Sequence, residues 1–234
     1  MGVTEKLFLP LLSQPARPLV SQYDDADGSR VELSRATVAN WAAKTANWLR
    51  DECDVEPGED VAVRLPAHWQ TIGVLLGAWW CGARVTDEPA GSAVTFVAPG
   101  AAPVAGARTV AVVALDPLGR GLGAPPPQGV DYLNEVRVFG DDFQPWQRIP
   151  DDAPALGKYT VEDVAGEAAA RAAALGLAAD SRVLSTLDWT VPDGLLSGLL
   201  SVLSVGASLV QVANPDTSRL ADRASSERTT HTLA

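Results

Sequence analysis

Cysteine is almost missing from this chain: Cys53 and Cys81 are the only two among 234 residues. Their spacing fits no metal-ligand pattern, so neither a disulfide scaffold nor a zinc site organises the fold. Cys81 is expected to be buried beside Trp80, and Cys53 to lie near a helix end. Histidine is equally scarce, with only His68 and His231. No Gly-x-Ser-x-Gly elbow accompanies them, and a Ser-His-Asp triad would have to be assembled from distant parts. Clusters of Lys or Arg are also absent, and the formal net charge is −11. Such a surface repels a phosphate backbone, which excludes nucleic acid and anionic membrane as expected partners. No apolar run is long enough to span a bilayer: the stretch Val191 to Val212 is cut by Pro192, Asp193, serines and glycines. The opening MGVTEKLFLPLLSQP has no basic start and breaks at Pro10, and Lys6 stands where a myristoylation signal needs Ser or Thr. The expectation is a soluble, cytoplasmic protein.

What is present is a globular composition, 47% hydrophobic and 20% charged, sufficient for one large or two small domains. Within it one layout occurs twice. The first copy, about Arg30 to Thr86, reads helix (LSRATVANWAAKTANWLRD), strand (DVAVRLP), helix (WQTIGVLLGAWWC), Gly82-Ala83 and a short strand. The second, about Tyr159 to Val212, reads helix (YTVEDVAGEAAARAAALG), strand (RVLSTLD), helix (DGLLSGLLSVLSV), Gly206-Ala207 and the strand SLVQV. Self-similarity of this kind marks one supersecondary unit used twice.

Helical spacing puts Val38, Trp41, Ala42, Thr45, Trp48 and Leu49 on one face of the first helix, with Lys44, Asn47 and Arg50 largely opposite. Ile72, Leu75, Leu76, Trp79 and Trp80 share a face of the next. Thr160-Val-Glu-Asp163 is a capping-box pattern, and Gly82 and Gly206 suit left-handed helix ends. Between the copies, the spacing predicts strands at Val94–Val97, Thr109–Leu115 and Glu135–Phe139, with a flexible surface loop at Gly119–Gly123. Alternating helix and strand argue for an α/β fold with parallel strands and right-handed helical crossovers. The expected divisions are residues 1–150 for the first α/β subdomain with its Ala/Gly/Pro-rich connection, 151–216 for the second, and 217–234 for a frayed polar tail in which Thr229–Leu233 is a candidate strand.

The first copy resembles the opening of the acyl-adenylate-forming (AMP-binding) ligases. The resemblance rests on Leu33-Ser34, the run Val55-Glu56-Pro57-Gly58-Glu59-Asp60-Val61-Ala62, Leu65-Pro66 and Gly82-Ala83. The second copy, through Asp180-Ser181-Arg182-Val183, Leu187 and Gly206-Ala207, is similar to the next subdomain of that family. The resemblance implies parallel-stranded sheets in two similar subdomains, as in the N-terminal half of adenylate-forming enzymes. It also implies where this sequence departs from the family. The Ser/Thr/Gly-rich phosphate loop should precede the second copy, but the interval reads DDAPALGKYTVEDV, with Gly157-Lys158 expected as a plain turn. The later adenine-, ribose- and magnesium-contacting segments and the C-terminal domain with its catalytic lysine are not found in the sequence.

No catalytic residue, cofactor or metal ligand is therefore assigned. Three residues are candidates for a ligand crevice: His68 at the end of a strand, and Asp188 and Trp189 at the matching place in the second copy, where the resembling ligases line the acyl side of their pocket. Three functions stay open. The chain is expected to be a non-catalytic binding or regulatory relative of the acyl-CoA ligases. The alternatives are half of a split adenylating enzyme completed by a partner chain, and a binder of a small acyl or nucleotide fragment. A protein partner or second copy is expected to cover an exposed sheet edge.

Overall fold

The computed structural model describes all of residues 1–234. In chain order the first elements are α1 (Val3–Leu7), β1 (Pro18–Asp24), β2 (Ser29–Ser34), α2 (Arg35–Asp51), β3 (Asp60–Arg64), α3 (Trp69–Trp80) and β4 (Arg84–Thr86). Next come β5 (Val94–Val97), β6 (Thr109–Val112), β7 (Val130–Asp131), α4 (Tyr132–Val136), β8 (Pro154–Leu156), β9 (Tyr159–Thr160), α5 (Val161–Ala174) and β10 (Arg182–Ser185). A helix follows in three parts, α6 (Asp193–Leu195), a π-helical stretch Leu196–Leu200 and α7 (Ser201–Ser204), then β11 (Ser208–Ala213), α8 (Leu220–Ser226) and β12 (His231–Leu233). No helix is long and apolar enough to cross a membrane.

The caps are those the sequence spells out. Ser34 Oγ accepts the Thr37 N–H at 3.2 Å to start α2. Thr160 Oγ1 accepts the Asp163 N–H at 3.2 Å to start α5, and Asp163 closes a reciprocal box. Gly82 (φ 88) and Gly206 (φ 73) hold the left-handed conformation after each crossover helix.

Two sheets result. A seven-stranded sheet has the order β7-β6-β5-β3-β4-β8-β9, and a five-stranded sheet the order β12-β10-β11-β1-β2. Every pairing is parallel except the β1–β2 and β8–β9 hairpins. Each copy of the repeat thus forms a strand–helix–strand crossover, β3-α3-β4 in one sheet and β10-α6/α7-β11 in the other. The sheets exchange elements across the expected division at residue 150: β1 and β2 belong with the second copy, and β8 and β9 extend the sheet of the first. One continuous apolar core of 58 buried residues runs through both. All twelve residues of α3 are buried, and its eight apolar side chains belong to this core. Gly77 lets α3 approach α2 closely, because a Cβ there would overlap the Thr45 side chain.

Three segments differ from expectation. Glu135–Phe139 is not a strand; α4 takes Tyr132–Val136 because Asp131 accepts the N–H groups of Leu133 and Asn134. Tyr132, Leu133 and Val136 then turn inward with helical spacing. Residues 217–234 fold as a short 3₁₀ turn, α8 and β12, the last pairing with β10 as the Thr229–Leu233 pattern suggested. The tail is tied down by charge. The Asp25 carboxylate, only 3% exposed, receives Arg223 Nη2 at 2.6 Å. Burial works against the Glu227 carboxylate, but Tyr23, Arg182 and Arg30 hold it down to about 2.

Finally, the polar face of α2 is not solvated. It carries a strap of residues 137–144, through Lys44 Nζ to Phe139 O (2.5 Å), Asn47 Nδ2 to Asp142 O (2.8 Å) and Gly140 O (3.2 Å), and Arg50 Nη1 to Gln144 O (3.1 Å).

Candidate functional site

In the seven-stranded sheet β3 leads to β4 on one side, and the chain then returns to β5 on the other. That reversal is where open α/β sheets place ligands, outside the C-terminal strand ends. There Arg64, Val63 and Leu65 at the end of β3 face the segment that follows β10. Together with Asp87, Asp188 and Trp189 they line a crevice of about 210 Å³. It lies where the strand ends of both sheets meet.

The segment after β10 is fixed by close backbone packing. Ser185 Oγ accepts the Leu187 N–H at 3.2 Å, and Gln211 Nε2 donates to Leu187 O at 3.1 Å. Trp189 is 4% exposed and lies on Gly198, where a Cβ would come within 2.9 Å of the indole. The π-helical stretch and its glycine therefore make the seat for this ring. The indole Nε1–H has no partner. Asp188 is exposed at the rim. Nearby, the cross-strand partners Gln22 and Gln211 are both buried, and each leaves its amide oxygen unpaired. The amide nitrogen of Gln22 reaches Ala67 O at 3.4 Å. This layer keeps open acceptors that a water or a ligand donor would satisfy.

Asp188 and Trp189 thus come together, as placed from the sequence; His68 does not line their crevice. It caps α3, its Nδ1 accepting the Gln70 N–H at 3.2 Å, with its ring 5.7 Å from that of Trp69. Burial pushes its pKa down to about 4 against the opposing pull of Asp24 and Asp116, so the ring is neutral at pH 7. The two thiols are pushed up to about 12 by burial and are not nucleophiles at neutral pH. No cluster of three His, Cys, Asp or Glu side chains is arranged to hold a metal.

Residues missed by the sequence argument are Arg64 and Asp87. Arg64 ends β3 at the reversal of strand order, and that order exists only in the folded sheet.

Where the ligases' phosphate loop is expected, the chain forms the β8–β9 hairpin, with Gly157 (φ 53) at its turn. Three backbone donors in and beside it are committed: Gly157 N–H to Val85 O (2.9 Å), Thr160 N–H to Asp163 Oδ2 (3.0 Å) and Val161 N–H, at the start of α5, to Ala153 O (3.0 Å). The Gly119–Gly123 loop is likewise pinned by carboxylates. Arg120 and the backbone N–H groups of Arg120 and Leu118 bring Asp116 to about 2, despite some desolvation, and Asp131 accepts the Leu122 N–H at 2.7 Å.

This architecture is that of the N-terminal part of the AMP-binding acyl-CoA ligases. An acyl-CoA synthetase from Brucella canis superposes with a TM-score of 0.80 at 17% identity, covering 99% of this chain and 47% of that one. A benzoate CoA ligase from Burkholderia xenovorans LB400 gives 0.74 at 18% identity over 99% of this chain and 50% of its own. Acetoacetyl-CoA synthetase from Streptomyces lividans gives 0.76 at 17% identity over 100% and 42%. The chain spans about half the length of these enzymes, and at such identities the likeness is one of fold. No family model matches the sequence. A protein of Mycobacterium tuberculosis (strain ATCC 25618 / H37Rv), described as a TIGR03089 family protein, is 47% identical over 233 residues, 95% of this chain and 94% of that protein. The chain belongs to the TIGR03089 family.

Proposed function

We propose that this protein is a non-adenylating relative of the acyl-CoA ligases that uses their N-terminal scaffold for binding. The observation that carries this reading is the β8–β9 hairpin, where Gly157, Thr160 and Val161 spend their backbone donors within the protein at the place a ligase would turn donors toward ATP. The crevice supports it further. Asp87 and Asp188 outnumber Arg64 there, a balance that repels a triphosphate. A small neutral or cationic ligand suits the crevice better.

The test is pyrophosphate release with ATP, magnesium and a panel of carboxylic acids, alongside thermal unfolding with ATP, AMP and CoA. The expected result is no release and no nucleotide-dependent shift. A ligand at 100 times its Kd stabilises by about 2.7 kcal/mol, a shift of a few degrees at this size. Such a shift with ATP, or any ATP-dependent pyrophosphate, overturns the reading.

A second reading, completion by a partner chain, is favoured by one observation. β12 forms an edge of the five-stranded sheet beside an open groove of about 460 Å³ that includes Leu175, Leu187 and Leu233. The other edge, β2, alternates Arg30 and Glu32, charges that discourage pairing. A partner adding a strand at β12 would be lost in Thr232→Pro, and an unchanged complex in that variant would remove this reading.

A further inference from the structure

A second cavity lies away from the strand-end crevice, where the C-terminal end of α2 meets the turn before β3. It measures about 330 Å³ and is walled by Val55, Pro57, Phe143, Ile149 and the neutral thiol of Cys81. Four of these walls, Val55, Phe143, Ile149 and Cys81, are buried, and together they make an apolar floor.

Its rim is built differently. Trp146 is 83% exposed, and the Arg50 guanidinium lies over its ring, 5.0 Å from the centroid. The same guanidinium lies over the Phe143 ring, 4.7 Å from its centroid. The Arg50 charge is already answered, because Asp51 takes Nε at 2.6 Å and Nη2 at 3.0 Å, while Nη2 also donates to Asn47 Oδ1 and Nη1 to Gln144 O. Glu56 also lines the cavity, and its carboxylate forms no hydrogen bond or ion pair within the protein. The cavity thus offers an apolar floor, a large exposed indole and one uncompensated negative charge.

Exposing a tryptophan costs apolar hydration, and an indole and a free carboxylate lining one cavity are the two groups that attract organic cations. The net charge of −11 raises the local concentration of such cations. We infer that this cavity is a binding site for an organic ammonium compound, its apolar or aromatic body on the floor and its ammonium group between Glu56 and Trp146. The site is independent of the adenylate question, since it shares no residue with the strand-end crevice.

The test uses protein labelled with 5-fluorotryptophan, whose seven indoles give separate fluorine resonances. The Trp146 line is the one missing from Trp146→Phe, a change at an exposed ring that leaves the core intact. Two probes with the same body and opposite charge are titrated, 2-phenylethylamine and phenylacetate. The expected result is a saturable shift of the Trp146 line with the amine, a clearly weaker response to the acid, and a roughly five- to tenfold weaker amine midpoint in Glu56→Gln. The inference is overturned by no saturable shift with the amine up to about 20 mM. It is equally overturned by phenylacetate binding as tightly as the amine, or by an unchanged midpoint in Glu56→Gln.

Discussion

The two copies of the repeat share a layout and differ in what surrounds them. Aligned on their caps, Ser34 and Thr160, the cover helices α2 and α5 begin alike, each with a hydroxyl on the third N–H. Beyond the caps they diverge. α2 buries 10 of its 17 residues, being held between α3 and the strap, whereas α5 buries 4 of 14 along one narrow stripe. Lys44 and Asn47 lie 10 and 13 residues past Ser34; the same steps past Thr160 reach Ala170 and Ala173, both exposed. The crossover helices differ too. Five residues before the closing glycine stands Gly77 in one copy and the buried Ser201 in the other. The repeat therefore sets topology and helix starts, while burial follows from neighbours that the repeat does not encode.

The sharpest way to break this comparison is to exchange those two positions. Gly77→Ser drives a Cβ into Thr45 and is expected to cost about 3 kcal/mol, whereas Ser201→Gly costs about 1 kcal/mol. Urea unfolding of both variants checks this; equal losses would mean that the two crossovers are packed alike.

The second prediction uses the helix starts of the crossovers, His68 in the first copy and Pro192 in the second. Unfolded His68 takes up a proton near pH 6.5, but the folded protein does so only near 4. The unfolded state then binds more protons in that window, so stability falls as pH drops from about 7 to 4.5, by roughly 2–3 kcal/mol. His68→Asn, which keeps a capping side chain, should flatten this dependence in urea midpoints measured across the range. A further loss below about pH 4.5, as Glu227 is protonated toward 2, should persist in that variant.

A smaller effect is expected at the strap. Asn47→Ala removes both bonds to Gly140 O and Asp142 O, with a loss of about 1–2 kcal/mol and faster tryptic cleavage at Arg148. The matched exchange in the second copy, Ala173→Asn on an exposed face, should change stability by less than about 0.5 kcal/mol. Smallest and most alike are the caps: Ser34→Ala and Thr160→Ala should each cost about 1 kcal/mol. A large difference between them would show that one helix start is held by something other than its hydroxyl.

Much of this was legible in the residues. The caps, the closing glycines, the strand Val94–Val97 and the buried leucines of the second crossover are local facts, written in spacing and side-chain chemistry. What escaped has a common cause. The alternation in Glu135–Phe139 suggested a strand, but the Asp131 carboxylate, one residue before Tyr132, decided for a helix. The polar stripe Lys44, Asn47 and Arg50 looks solvated in sequence and instead binds carbonyls more than 90 residues away. The polar tail folds because its Arg223, on α8, finds Asp25 beyond the end of β1, and its Glu227 finds Arg182 and Arg30 on β10 and β2. At the crevice, the repeat placed Asp188 and Trp189 at a strand end, while Arg64 and Asp87 came to line the same crevice only once the two sheets met.

The sequence by itself determined the units: where helices begin and end, which faces are apolar, and that one strand–helix–strand layout is used twice. Those outcomes depend on groups within a few residues of one another. Tertiary structure alone decided which sheet each hairpin joined, which polar face was covered, and that an indole at residue 146 stands exposed over an apolar cavity. Each of these depends on groups far apart in the chain, whose charge and shape have no effect until folding places them together.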